Sequence, residues 1–180
     1  MWPWSKRQKQ REELFVDLVR AAAEGDRIAK LKESLACLSV NLSGEREETQ
    51  IVSDGAIALL DAIHHLANPS ASEDVLDYVD GLFLMVFTNH MSFVMRCNYE
   101  LASTVALLVH FSVEAPESYK DMPDIVSEAI KSYNELAQQD SPVIRATGNA
   151  CVKWCNQPNS ENLDTLAKLY NALLKRVQLK

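Results

Sequence analysis

Turn formers are scarce in this chain, with 5 glycines and 6 prolines in 180 residues. A many-stranded β-fold needs a turn at nearly every connection, so the scarcity argues against one and favours long helices with few joins. Apolar runs are short as well. The two strongest, Leu82 to Phe87 and Val105 to Val113, fall far below the about 20 residues that cross a bilayer. The start, Trp2-Pro3-Trp4 followed by charge, has no apolar core of the kind a secretory leader carries. The 4 cysteines, Cys37, Cys97, Cys151 and Cys155, are too few for a disulfide scaffold and form no CxxC pair. They read as reduced, mostly buried thiols in a reducing compartment. There is no GxSxG elbow and no glycine-rich strand-to-helix loop for phosphates, which removes the commonest hydrolase and nucleotide signatures.

Hydrophobic residues make up 47 % of the chain, a globular composition long enough to bury a core without a metal or a disulfide. One helical domain over 1–180 is expected, with 1–11 a frayed segment in which Trp2 and Trp4 stand beside Lys6, Arg7, Lys9 and Arg11. Those aromatic and basic residues also suit an anionic membrane surface or an acidic partner.

Apolar stripes at helical spacing predict about eight helices. The first covers 5–24 and ends at Gly25-Asp26, which opens a second over 27–42 with Ile28, Leu31, Leu35, Leu38 and Leu42 in a heptad seam. A third runs to about Ala67 and is stopped by Asn68-Pro69. Ser70 and Glu73 read as a capping box for the fourth. From Leu82 that helix is apolar on all sides, the mark of a central element, although a buried strand at 82–88 has the same look. Asn89-His90 is a possible break before a fifth helix that ends near Val113. Asp121 with Pro123, Ser141 with Pro142, and Pro158 with Ser160 open the last three. Their short joins favour an antiparallel helical bundle over a short HEAT- or armadillo-like solenoid, since no consensus recurs at a fixed period. Expected core residues are Leu59, Leu60, Ile63, Leu82, Phe83, Val86, Leu107, Leu108, Ile130 and Leu166.

Charge is uneven. The net is −7, yet residues 45–80 hold nine acids and one base. A face of that sign repels nucleic acid and suits a basic protein partner. The expected partner-binding residues are Glu47, Glu48, Asp54, Asp61, Asp74, Asp77 and Asp80. The functional expectation is a non-catalytic, cytoplasmic, bacterial module that binds a protein and needs no cofactor: an adaptor, a secretion-type chaperone or an inhibitor. The alternative is a small-molecule- or metal-binding bundle, with or without catalysis, using Asp61 and His64 on one helix and His110 and Glu114 on another, pairs spaced to put carboxylate and imidazole one turn apart. Cys151 and Cys155 share a helix face but have no further ligand nearby in sequence, and read as packing around Trp154. Arg96, Asn98 and Glu100 interrupt an apolar region and read as a loop rather than a pocket lining.

Overall fold

The computed structural model describes residues 25–38, 47–114 and 122–178, and among these every regular element is a helix. In chain order they are α1 (25–37), α2 (Glu48–Ala67), α3 (Glu73–Met95), α4 (Tyr99–Glu114), α5 (Met122–Gln138), α6 (Pro142–Asn156) and α7 (Ser160–Gln178). The first expected helix, the aromatic and basic start, Leu42 and Asp121 lie outside the described residues.

α3 is the hub. It packs against α2, α4, α5, α6 and α7, and α2 also meets α4 and α7. In a solenoid each unit touches only its neighbours in sequence, so this pattern favours helices gathered round one buried rod. Ten successive residues of α3, Val79 to Thr88, are buried on every side of the helix. The strand reading of 82–88 is therefore corrected to helix. Asn89-His90 does not break the rod, because both side chains find partners. Asn89 Nδ2 donates to the Tyr133 hydroxyl of α5 at 2.9 Å, and His90 Nδ1 lies 2.8 Å from the Val86 carbonyl one turn back. α3 ends instead at Arg96, left-handed at φ 56°. Asn98 then caps α4 through Oδ1, which accepts from Leu101 N–H at 3.0 Å. Arg96 and Asn98 thus belong to the join between α3 and α4, and Glu100 to the exposed first turn of α4.

The other boundaries follow local chemistry. Asn68 closes α2 in the left-handed region at φ 44°, a conformation Asn tolerates, and Pro69 cannot continue the helix. Asn171 of α7 donates to the otherwise unpaired Ala67 carbonyl at 3.2 Å. The expected capping box fails: α3 starts from Ser72 rather than Ser70, and no side chain caps it. The Ser72 carbonyl accepts the first bonds, from Val75 and Leu76. Gly25 and Asp26 are both helical in α1; Asp26 pairs with Lys30 one turn on at 2.9 Å, which offsets part of the glycine's cost. The joins 139–141 and 157–159 have the predicted shortness.

Eight of the ten expected core residues are buried. Leu108 is 40 % exposed because it shares the outer face of α4 with Leu101 and Val109, and Ile130 is only half-buried on α5. Two glycines set how closely helices approach. A Cβ on Gly55 would overlap the methyl groups of Leu35, so this glycine lets α1 seat on α2. A Cβ on Gly148 would come within 2.7 Å of the His90 ring, which is held by its bond to Val86. Gly148→Ala must push α6 away from α3 or expel the imidazole. A loss of about 1–3 kcal/mol in urea unfolding is expected, and a neutral or stabilising alanine would contradict this packing.

Candidate functional site

Four polar side chains from four helices meet inside the core. Asp80 of α3 is 1 % exposed. Its Oδ1 accepts from the Tyr170 hydroxyl of α7 at 2.5 Å and lies 2.8 Å from His64 Nε2 of α2. Its Oδ2 lies 3.2 Å from His110 Nε2 of α4. His64 Nε2 and the Tyr170 oxygen are 3.0 Å apart, the third side of a triangle whose apex is Oδ1. An ionised carboxylate only accepts hydrogen bonds, so both imidazoles present a protonated Nε2. Burial alone pushes the Asp80 carboxyl up. The bonds from His110, His64 and Tyr170, with the charge of His64, outweigh it and hold the carboxyl below its ordinary value.

Each member occupies a core-stripe position. His64 lies four residues after Leu60, His110 three after Leu107, Tyr170 four after Leu166, and Asp80 three before Phe83; all four of those apolar neighbours are buried. The rings of His64 and Tyr170 pack edge to face at 5.2 Å, as do those of Phe83 and Tyr170 at 5.1 Å. The arrangement ties α2, α3, α4 and α7 to one carboxylate. None of the four lines the cavities described below. Chemically the cluster can hold protons in fixed places.

The expected site residues divide accordingly. Asp80 is withdrawn from the acidic outer face: it sits in an otherwise apolar stretch of the central helix, where its bonds compensate its burial. Glu47, Glu48, Asp61 and Asp74 are exposed, while Asp54 and Asp77 are half-buried. Asp54 accepts from Gln50 at 2.7 Å. The alternative metal set is not assembled. His64 and His110 do converge, with ring centroids 6.4 Å apart, but on Asp80. Asp61, three residues before His64, points outward, and the Glu114 side chain lies outside the described residues. Among those residues no group of three or more His, Cys, Asp or Glu is arranged to hold a metal ion.

The thiols are free, but only Cys151 is fully buried; Cys37 is exposed, and Cys97 and Cys155 are intermediate. The expectation of mostly buried thiols is corrected on that point. A hydrogen bond with Cys155, together with burial, pushes the Cys151 thiol well above its usual range, so it is a poor nucleophile.

A second feature lies between α1, α3 and α6. A cleft of about 460 Å³ is lined by Arg27, Leu31, His90, Phe93, Val152 and Cys155, among others. Beside it, a cavity of about 370 Å³ shares Arg27, Phe93 and Val94 and adds Ser92, Arg96 and Cys97. Of the three residues preferred in the sequence as a loop over a pocket lining, Arg96 belongs to the join and also lines this second cavity, whereas Asn98 and Glu100 do not line it. The rest of both spaces is not legible, because α1 and α6 are far apart along the chain. No described helix is long and apolar enough to cross a membrane. Comparison with protein families, with curated proteins and with solved structures finds no match to this chain.

Proposed function

We propose that this chain is a non-catalytic helical module that binds a basic protein through the outer edge of α2 and the start of α3, as a cytoplasmic adaptor, chaperone or inhibitor would. One observation carries the reading. Glu47, Asp54 and Asp61 are spaced seven apart, close to two helical turns, so they run along one edge of α2. Glu48 widens that edge, and Asp74 adds to the field from the first turn of α3. Glu47, Glu48, Asp61 and Asp74 are exposed and make no ion pair with a described residue. Elsewhere on the surface, Asp26, Glu128, Asp140 and Asp164 each have a lysine or arginine within 4.0 Å. Exposed acids along one edge steer a basic partner during encounter. The buried carboxylate network supports the same reading, since it fixes the relative placement of α2 and α3.

The test is charge reversal of three exposed positions, Glu48→Lys, Asp61→Lys and Asp74→Lys, in one variant. Binding to basic proteins recovered from the native host is measured at about 0.05 M and about 0.5 M salt. The wild-type chain is expected to retain a basic partner, and the variant to associate about tenfold more slowly at low salt, with the gap closing at high salt. An equal association rate for both chains, or no basic partner retained by the wild type, overturns the proposal.

A further inference from the structure

The cleft between α1, α3 and α6 has features a merely solvated surface lacks. Phe93 is 77 % exposed, the highest value among the large apolar side chains described, and it stands at the cleft mouth with Val152, also exposed. Leu31, fully buried, lines the cleft. A ring in water beside a concave apolar surface offers apolar area that a bound ligand would cover. The volume of about 460 Å³ falls within the range of about 300–1,000 Å³ usual for small-molecule sites.

The adjoining cavity is more polar than the cleft. Arg27 lines both, is exposed, and makes no ion pair or hydrogen bond with a described residue. Arg96 lines the adjoining cavity as well. Ser92 lines it too, and its Oγ is buried without any hydrogen-bond partner, although nearly every buried hydroxyl has one. An orphaned hydroxyl and two arginines lining one cavity form a donor set for an anionic head. Planar guanidinium forks match a carboxylate well.

The geometry points to a binding site for an aliphatic monocarboxylate, with its head among Arg27, Arg96 and Ser92 and its chain along Leu31, Phe93 and Val152. This site stands apart from the acidic edge of α2 and holds or fails independently of it. Binding needs no covalent step. The hydroxyl and the guanidinium groups supply hydrogen bonds to the carboxylate, and the apolar walls take the chain out of water.

The test uses the whole chain with decanoate as the probe and decanol as its neutral counterpart, followed by calorimetry and amide chemical shifts. Decanoate is expected to bind saturably, at least about tenfold more tightly than decanol, as a charge-assisted head predicts. Arg27→Gln should weaken decanoate about tenfold and leave decanol unchanged, while Arg27→Lys keeps part of the affinity. Phe93→Ala should weaken both ligands. Arg27 and Phe93 are exposed, so unfolding curves of these variants should match the wild type and separate lost binding from lost fold. Equal binding of acid and alcohol, no saturable binding of decanoate, or self-association abolished by Phe93→Ala would each overturn the assignment; the last would make a second copy of the chain the occupant.

Discussion

Replacing Phe83 with alanine is expected to destabilise the protein by about 3–5 kcal/mol, among the largest effects any single core truncation should have. Phe83 is 1 % exposed at the middle of α3, and its ring meets Phe87 at 5.5 Å and Tyr170 at 5.1 Å, both edge to face. Truncation removes the apolar transfer energy of the ring and leaves a void that α2, α4 and α7 cannot close together, since each is also pinned to Asp80. It also removes the wall that orients Tyr170 toward the carboxylate. For a chain of this length the midpoint of thermal unfolding should drop on the order of 10 °C. Phe93→Ala is the internal control. It changes the same residue type ten positions along the same helix, on a side chain left in water, and should cost less than about 0.5 kcal/mol. Comparable losses for the two variants would mean that the buried and exposed faces of α3 have been assigned wrongly.

That contrast marks how far the sequence is legible. Phe83 and Phe93 are the same residue in one helix, and periodicity identifies the first as core because Val79, Val86 and Phe87, three or four residues away, are apolar, whereas Asn89, His90 and Arg96 flank the second. The rod's far end is harder to read. Asn89 and His90 look like a stop, and only Tyr133 on α5 and the space above Gly148 on α6 show why the helix runs through. Those partners are distant along the chain, so no local window contains them. Helix starts marked by proline with serine, at Ser141-Pro142 and near Ser160, are legible because the signal is local backbone chemistry. Leu108 is misread for the opposite reason: α4 is apolar on its outer face too, and sequence alone cannot say which side a neighbour covers.

The site was partly visible. His64 and His110 attract notice because each stands one turn from a carboxylate, Asp61 or Glu114, and the structure brings the two imidazoles together on a different one. Asp80 reads in the sequence as part of the acidic face, because it sums naturally with the acids before it, and Tyr170 reads as core, because a tyrosine on a stripe does. A sharper signal was present. Asp80 is the one carboxylate within the run from Val79 to Thr88, and a lone charge in an otherwise apolar helix demands partners from outside it.

Asp80→Ala is accordingly expected to cost about 3–5 kcal/mol near neutral pH. The substitution deletes the common acceptor of three donors. The Tyr170 hydroxyl and His64 Nε2, 3.0 Å apart, can partly satisfy each other, whereas His110 Nε2 loses its bond to the carboxylate. His64 is partly exposed and can turn to water, whereas His110 is buried and cannot, so the loss should fall mainly on α4 and α7. Asp80→Asn is milder, at about 1–3 kcal/mol. Its carbonyl still accepts from His64 and Tyr170, and its amide forces His110 to present a lone pair instead of a proton. The pH dependence fixes the interpretation. The folded-state pKa of Asp80 lies below the ordinary carboxylate value of 3.8, so the stability it contributes is fully present above 3.8 and is lost as pH falls below 3.8 through the folded value. The difference in urea-unfolding free energy between wild type and Asp80→Asn should therefore stay large down to that point and shrink below it, because a protonated Asp80 resembles the asparagine. A difference that persists unchanged in acid would mean that Asp80 acts through packing alone and that its charge does not hold the four helices together.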